Sequence, residues 1–94
     1  MEFQDIKFFQ SENIVTSELD DEIIALNINT GKYFEIRGTA KIIWNYVSSG
    51  KDNYQDIFDE INSKFNEDEN ILSTDLEDFL QKALEFGLLD EKNL

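Results

Sequence analysis

From the N-terminus to Arg37 the apolar residues recur with a period of two. From Thr39 onward the period lengthens to 3.6. Phe3, Asp5, Lys7 and Phe9 alternate with Gln4, Ile6 and Phe8, which predicts an extra strand within residues 1–10. The polar run Gln10-Ser11-Glu12-Asn13 ends it. Asn13 to Leu19 and Glu22 to Ile28 read as the next strands, joined by the tight turn that Asp20-Asp21 favours. Ile24, Leu26 and Ile28 share one face of the second of these, with Ile23, Ala25 and Asn27 on the other. Asn29-Thr30-Gly31 turns the chain again, and the β-prone run Tyr33 to Ile36 closes an antiparallel meander of three strands.

Three helices follow. Ala40, Ile43, Trp44 and Val47 mark one face of a helix from Thr39 to Ser49, stopped by Gly50. A second runs from Tyr54 to Phe65, capped by Asn53, with Tyr54, Ile57, Phe58, Ile61 and Phe65 as its apolar set. After the acidic loop Asn66 to Asn70, the capping box Thr74-Asp75-Leu76-Glu77 predicts a third helix to Phe86, stopped by Gly87. Its core stripe is Leu76, Phe79, Leu80, Ala83 and Leu84. Leu88-Leu89 tuck back, and residues 90–94 are expected to fray. Strands first and helices after, each half apolar, give an α+β domain of two layers spanning residues 1–94. Three small strands and three helices of these lengths suit a winged-helix-like arrangement.

Composition narrows the chemistry. The 94 residues contain no cysteine and no histidine. Disulfides, thiolate or imidazole metal sites and histidine-based catalysis are thereby excluded. Carboxylates, lysine, tyrosine and hydroxyls remain, in no recognisable catalytic constellation, so the expected role is not enzymatic and calls for no cofactor. The acidic loop lacks the central glycine and ligand spacing of a calcium loop, so no metal is expected there. The net charge of −13 sets the chain against nucleic acid and anionic membranes and in favour of basic partners. No apolar run is long enough to span a bilayer and no export signal stands at the start, so the expected location is the cytoplasm.

Two features exceed what packing needs. The strand Lys32, Tyr33, Phe34, Glu35, Ile36, Arg37 is an outer strand of the meander, rich in aromatic residues and without a protecting proline. On the third helix Asp75, Phe79, Lys82 and Phe86 fall at i, i+4, i+7 and i+11, with Asp78 beside them, along a stripe offset from the core stripe. Together they predict one site. An extended peptide adds a strand to the open edge, and its alternate side chains drop between sheet and third helix. Nearby acids favour a peptide bearing Lys or Arg. Phe86→Ala, or a proline at Phe34, is expected to weaken binding without unfolding the domain.

Glu18-Leu19-Asp20-Asp21-Glu22-Ile23-Ile24-Ala25-Leu26, then Thr30-Gly31-Lys32-Tyr33-Phe34-Glu35-Ile36, Thr39-Ala40 and Ile43-Trp44, resemble the PqqD family, whose members are also called RiPP recognition elements. Gly50, Ile57-Phe58, Phe79-Leu80 and Gly87-Leu88-Leu89 extend the likeness over about Asn13 to Leu89. The resemblance implies a winged-helix-like fold. It also implies a non-enzymatic role: binding the leader of a ribosomally made precursor peptide and presenting it to a leader protease or a radical-SAM enzyme. In the family the leader pairs with the third strand of the meander and packs against the third helix. Lasso-peptide and pyrroloquinoline quinone pathways both use such chains, and small size and independence favour the lasso type. The family often places Asn where this chain has Arg37, followed by Gly38, so capping of the first helix falls to Gly38 or Thr39. The competing readings are a winged-helix DNA-binding regulator, disfavoured by Asp75, Glu77, Asp78 and Glu85 on the third helix, and an adaptor that recruits an enzyme rather than a peptide.

Overall fold

The computed structural model describes Phe3 and residues 6–93. Eight elements follow in order: β1 (Ile6–Gln10), β2 (Ile14–Leu19), β3 (Glu22–Asn27), β4 (Tyr33–Arg37), α1 (Thr39–Ser48), α2 (Tyr54–Lys64), α3 (Glu69–Glu85) and β5 (Leu89–Asn93). The α+β architecture expected from the period change is present. β2, β3 and β4 form an antiparallel three-stranded sheet in that order, and β1 pairs with β5 in a separate antiparallel ribbon.

Glu22 opposes Arg37 and Leu26 opposes Tyr33 across β3 and β4. This register sends Ile23, Ala25 and Ile36 into the core. Val15, Leu26 and Tyr33 stay exposed on the outer face. Both faces of β3 are apolar in sequence, and the helical layer decides which is covered. Ile43, Trp44 and Val47 of α1, Ile57 and Ile61 of α2, and Leu72, Leu76, Leu80 and Ala83 of α3 supply that layer. The stripes expected on α1 and α2 are the ones that pack.

Two expectations are corrected. α3 begins at Glu69, not at Thr74. Asp68 is the cap, its carboxylate accepting the Asn70 amide at 2.7 Å. The Thr74 hydroxyl bonds the Asn70 carbonyl one turn back at 2.8 Å, so it lies inside the helix. Leu72, fully buried one turn before Leu76, is the packing reason the helix extends through half of the acidic loop. The second correction concerns residues 90–94, expected to fray. Residues 89–93 form β5, paired from Gln10↔Leu89 to Ile6↔Asn93. The parts of the two terminal expectations that fall on residues 1, 2, 4, 5 and 94 lie outside the described residues.

The ribbon is tied down from both sides. Phe8 is fully buried, and its amide donates to the Asp52 carbonyl at 2.8 Å. The Ser11 amide donates to the Leu88 carbonyl at 3.1 Å, which fixes the turn after α3. Leu88 and Leu89 are both buried there. At the start of α1, Gly38 is the cap residue with φ of 60°, a left-handed conformation that glycine adopts without strain. It makes no side-chain cap bond. Its tight turn folds α1 back beside β4.

Candidate functional site

β4 is the last strand of its sheet. The Asn27 amide donates to the Lys32 carbonyl at 2.8 Å, and Ile28 donates to Asn13 at 2.9 Å. Antiparallel pairing alternates from these points, so residues 34 and 36 turn their backbone groups toward β3. The N–H and C=O groups of Tyr33, Glu35 and Arg37 therefore face the open side. This corrects the expectation for a proline at Phe34: the Phe34 amide belongs to the internal ladder, and it is the Glu35 amide that faces the open side.

Side chains alternate the other way round. Phe34 and Ile36 point inward, Ile36 fully into the core and Phe34 to its margin. Tyr33, Glu35 and Arg37 point outward. The Arg37 guanidinium contacts Glu22 at 2.9 Å and also hydrogen-bonds the Glu35 carboxylate. The Glu35 hydrogen bond and the two negative charges raise its pKa above the usual arginine value. The positive charge that the sequence places beside the groove is thus held by two acids on the outer face.

Between β4 and α3 lies a groove. Phe34 of β4 stacks on Phe86 at the end of α3, with ring centroids 5.3 Å apart and planes 18° from parallel. Phe86 remains 48% exposed. Next to this pair is a cavity of about 160 Å³ lined by Phe34, Ile36, Ala40, Phe79, Ala83 and Phe86, among others. Lys82 borders it and separates it from a second cavity of about 320 Å³ lined by Arg37, Thr39, Ala40, Asp75, Asp78 and Phe79. The sequence stripe Asp75, Phe79, Lys82, Phe86 is the α3 wall of this groove.

Placement of the remaining candidates is less uniform. Lys32 precedes β4 and lines neither cavity, its amide donating to the Thr30 hydroxyl at 3.2 Å. The Tyr33 side chain, 66% exposed, stands on the outer face of the sheet. Ala40 and Ala83, read in sequence only as core positions, floor the smaller cavity. The signal that could have found them is size: an alanine on each wall, facing aromatic neighbours, leaves room that a leucine would fill.

Among the described residues no group of three or more carboxylates is placed to hold a metal ion. No helix among them is long and apolar enough to cross a membrane. The arrangement offers unpaired backbone donors and acceptors, an apolar pocket and a charged pocket, which is binding chemistry.

The family described as coenzyme PQQ synthesis protein D (PqqD) matches residues 22–89, from β3 to the first residue of β5. Of the curated proteins, none matches the chain. Two solved structures superpose on it. TbiB1 in complex with the TbiA(beta) leader peptide is 30% identical, with a TM-score of 0.81 over 87% of this chain and 94% of that one. A lasso peptide synthetase B1 complexed with the leader peptide is 18% identical, with a TM-score of 0.79 over 89% and 98%, a likeness that speaks for the fold.

Proposed function

The chain belongs to the PqqD family, and on that premise we propose that it is a non-catalytic recognition element for the leader of a ribosomally synthesised precursor peptide. The leader adds a strand to β4 and seats alternate side chains in the groove against α3. The observation that carries the reading is the juxtaposition of an unpaired strand edge with an apolar pocket one side chain deep. Solved neighbours with the same fold were captured with leader peptides, which supports it. Backbone hydrogen bonds give sequence-tolerant affinity and the pockets give selectivity. A micromolar complex needs about −8 kcal/mol, within reach of a short added strand with two side-chain anchors.

A carrier of this kind hands the bound precursor to a maturation enzyme in the cytoplasm, a leader protease in a lasso-type pathway or a radical-SAM enzyme in a quinone-type one. The test is a 12-residue peptide selected from a displayed library, titrated into isotopically labelled protein. Amide shifts are expected at Tyr33, Glu35 and Arg37 and along the α3 stripe. Failure to select any binder, or shifts confined to the β1–β5 ribbon, overturns the proposal.

A further inference from the structure

The two cavities of the groove are offset along both of its walls. On α3 the smaller is lined by Phe79, Lys82, Ala83 and Phe86, the larger by Asp75, Asp78, Phe79 and Lys82. Each α3 residue of the first set has a counterpart about one turn earlier in the second, an offset of roughly 5–6 Å. Two residues of an extended chain span about 6.6 Å. Only alternate residues of an added strand face the groove; the one opposite Ile36 meets the smaller cavity, which Phe34 and Ile36 line, and the next groove-facing residue, past Arg37, meets the larger. Consecutive groove-facing residues of a guest therefore meet the two cavities in turn.

The chemistry of the cavities differs. The smaller is walled by aromatic rings and floored by Ala40 and Ala83, and its volume of about 160 Å³ suits one branched aliphatic side chain. The larger is more open and mixed: Ala40, Ile43 and Phe79 give it an apolar wall, and Arg37, Asp75, Asp78 and Lys82 charge it. Arg37 at its edge is already held by Glu22 and Glu35, whereas Asp75 and Asp78 make no ion pair among the described residues. Lys82 at the partition offsets one of these two charges, and the chain as a whole carries −13. Two aspartates on a helix would mean little alone. Here they line a cavity that adjoins an apolar pocket along an open strand, sharing Ala40, Phe79 and Lys82 with it, so a chain that seats a side chain in one is placed to seat another in the other.

Direction follows from the sheet. β4 runs from the apolar cavity at Phe34 toward the charged one at Arg37 and Thr39. All pairing in this sheet is antiparallel. A guest strand in the same sense passes the charged cavity first and the apolar one second.

We propose that the groove reads a directional two-residue code, a Lys or Arg followed two positions later by a Leu, Ile or Val. This rests on the strand-addition reading above and adds register, direction and side-chain class to it. The probes are synthetic nine-residue peptides of Ser and Thr carrying Lys-Thr-Leu, the reversed Leu-Thr-Lys, Ala-Thr-Leu, or Lys and Leu directly adjacent. Each carries a fluorophore and is titrated onto the full chain. Lys-Thr-Leu is expected to bind at least about tenfold tighter than its reverse, because reversal buries an ammonium against rings and takes it away from Asp75 and Asp78. The double variant Asp75→Asn and Asp78→Asn, at exposed positions, is expected to cut the advantage of Lys-Thr-Leu over Ala-Thr-Leu by about two- to fivefold, and an undiminished advantage overturns the charge half of the code. Ala83→Leu fills the apolar pocket and removes the leucine preference; Ala40→Leu serves the same end if Ala83→Leu fails to fold. Equal binding of the forward and reversed peptides at β4 overturns the code and leaves the recognition element standing. Absence of binding by every peptide, including library-selected ones, overturns both.

Discussion

Aromatic rings stack in two regions of this molecule, with opposite outcomes. Around Tyr54, Phe3 lies 6.2 Å away at 15° and Phe58 lies 6.3 Å away at 6°, while Phe3 meets Phe8 edge-on at 5.6 Å. Around Phe86 there is, among the described residues, a single stacked partner, Phe34, at 5.3 Å. The ring chemistry is alike. What differs is the backbone beside the rings. Next to Phe8, the β1–β5 ladder and the Asp52 carbonyl consume the backbone groups. Next to Phe34, one side of β4 is unpaired among the described residues. Aromatic residues next to satisfied backbone are core; beside an open edge the same ring chemistry stays partly exposed.

The sharpest way to break this comparison is to truncate a ring in each region. Phe8→Ala is expected to destabilise the fold by about 3–5 kcal/mol, because a fully buried ring leaves a cavity that the ribbon and α1 cannot collapse into. Urea unfolding followed by far-UV circular dichroism measures it. Against a typical stability of about 5–15 kcal/mol, with a domain of this size at the low end, the variant should be largely unfolded at 37 °C. A loss below about 1 kcal/mol would mean that the ribbon is not part of the cooperative unit.

The next largest effect belongs to the open edge. Glu35→Pro removes the amide that faces a guest and sets a pyrrolidine ring in its path. Proline is tolerated on an unpaired edge, so the fold should persist. Affinity for a library-selected peptide should fall at least about tenfold, the loss of one well-formed hydrogen bond plus the steric clash. Glu35→Gln, which keeps the amide, should bind normally. Unchanged affinity in the proline variant would place the guest elsewhere.

Phe86→Ala sharpens the contrast with Phe8. Its ring is half exposed and stacks on one partner, so its removal should cost under about 1 kcal/mol of stability. Peptide affinity should fall about fivefold, as expected for loss of part of an apolar wall. A stability loss matching that of Phe8→Ala would make Phe86 a core residue and remove one wall of the groove.

Much of this contrast was legible before any coordinates. The change of period after Arg37 gave the α+β order, and the Asp75, Phe79, Lys82, Phe86 spacing gave the α3 wall. Three things were not legible, each for a physical reason. The covered face of β3 was ambiguous because Ile23 and Ala25 oppose Ile24 and Leu26, and only the helical layer chooses between them. The start of α3 was misplaced because Thr74 satisfies a capping pattern that Leu72 packing and the Asp68 cap override. β5 was missed because Asp90-Glu91-Lys92-Asn93 has no strand propensity; its pairing comes from β1, far away in sequence. Backbone alternation on β4, which moves the critical amide from Phe34 to Glu35, depends on a register that only the paired strands define.

The smallest effect probes the closed region alone. The Tyr54 hydroxyl donates to the Glu77 carboxylate at 3.0 Å. Burial, then the hydrogen bond and charge of Glu77, push its pKa up from 10.0 to about 12. The folded protein thus holds the neutral phenol more firmly than the unfolded chain does. That stabilisation is fully present below pH 10 and is lost as pH rises from 10 toward 12. Because the ring is only partly buried, solvent screening keeps the contribution under about 1 kcal/mol. Tyr54→Phe removes both the titration and the bond to Glu77. Its urea stability should therefore fall less than that of the unaltered chain between pH 9 and pH 11, and the tyrosinate absorbance step near pH 12 should disappear. If the two proteins lose stability in parallel across that window, Tyr54 does not sense alkaline pH, and the closed aromatic cluster is held by packing without help from its one hydroxyl.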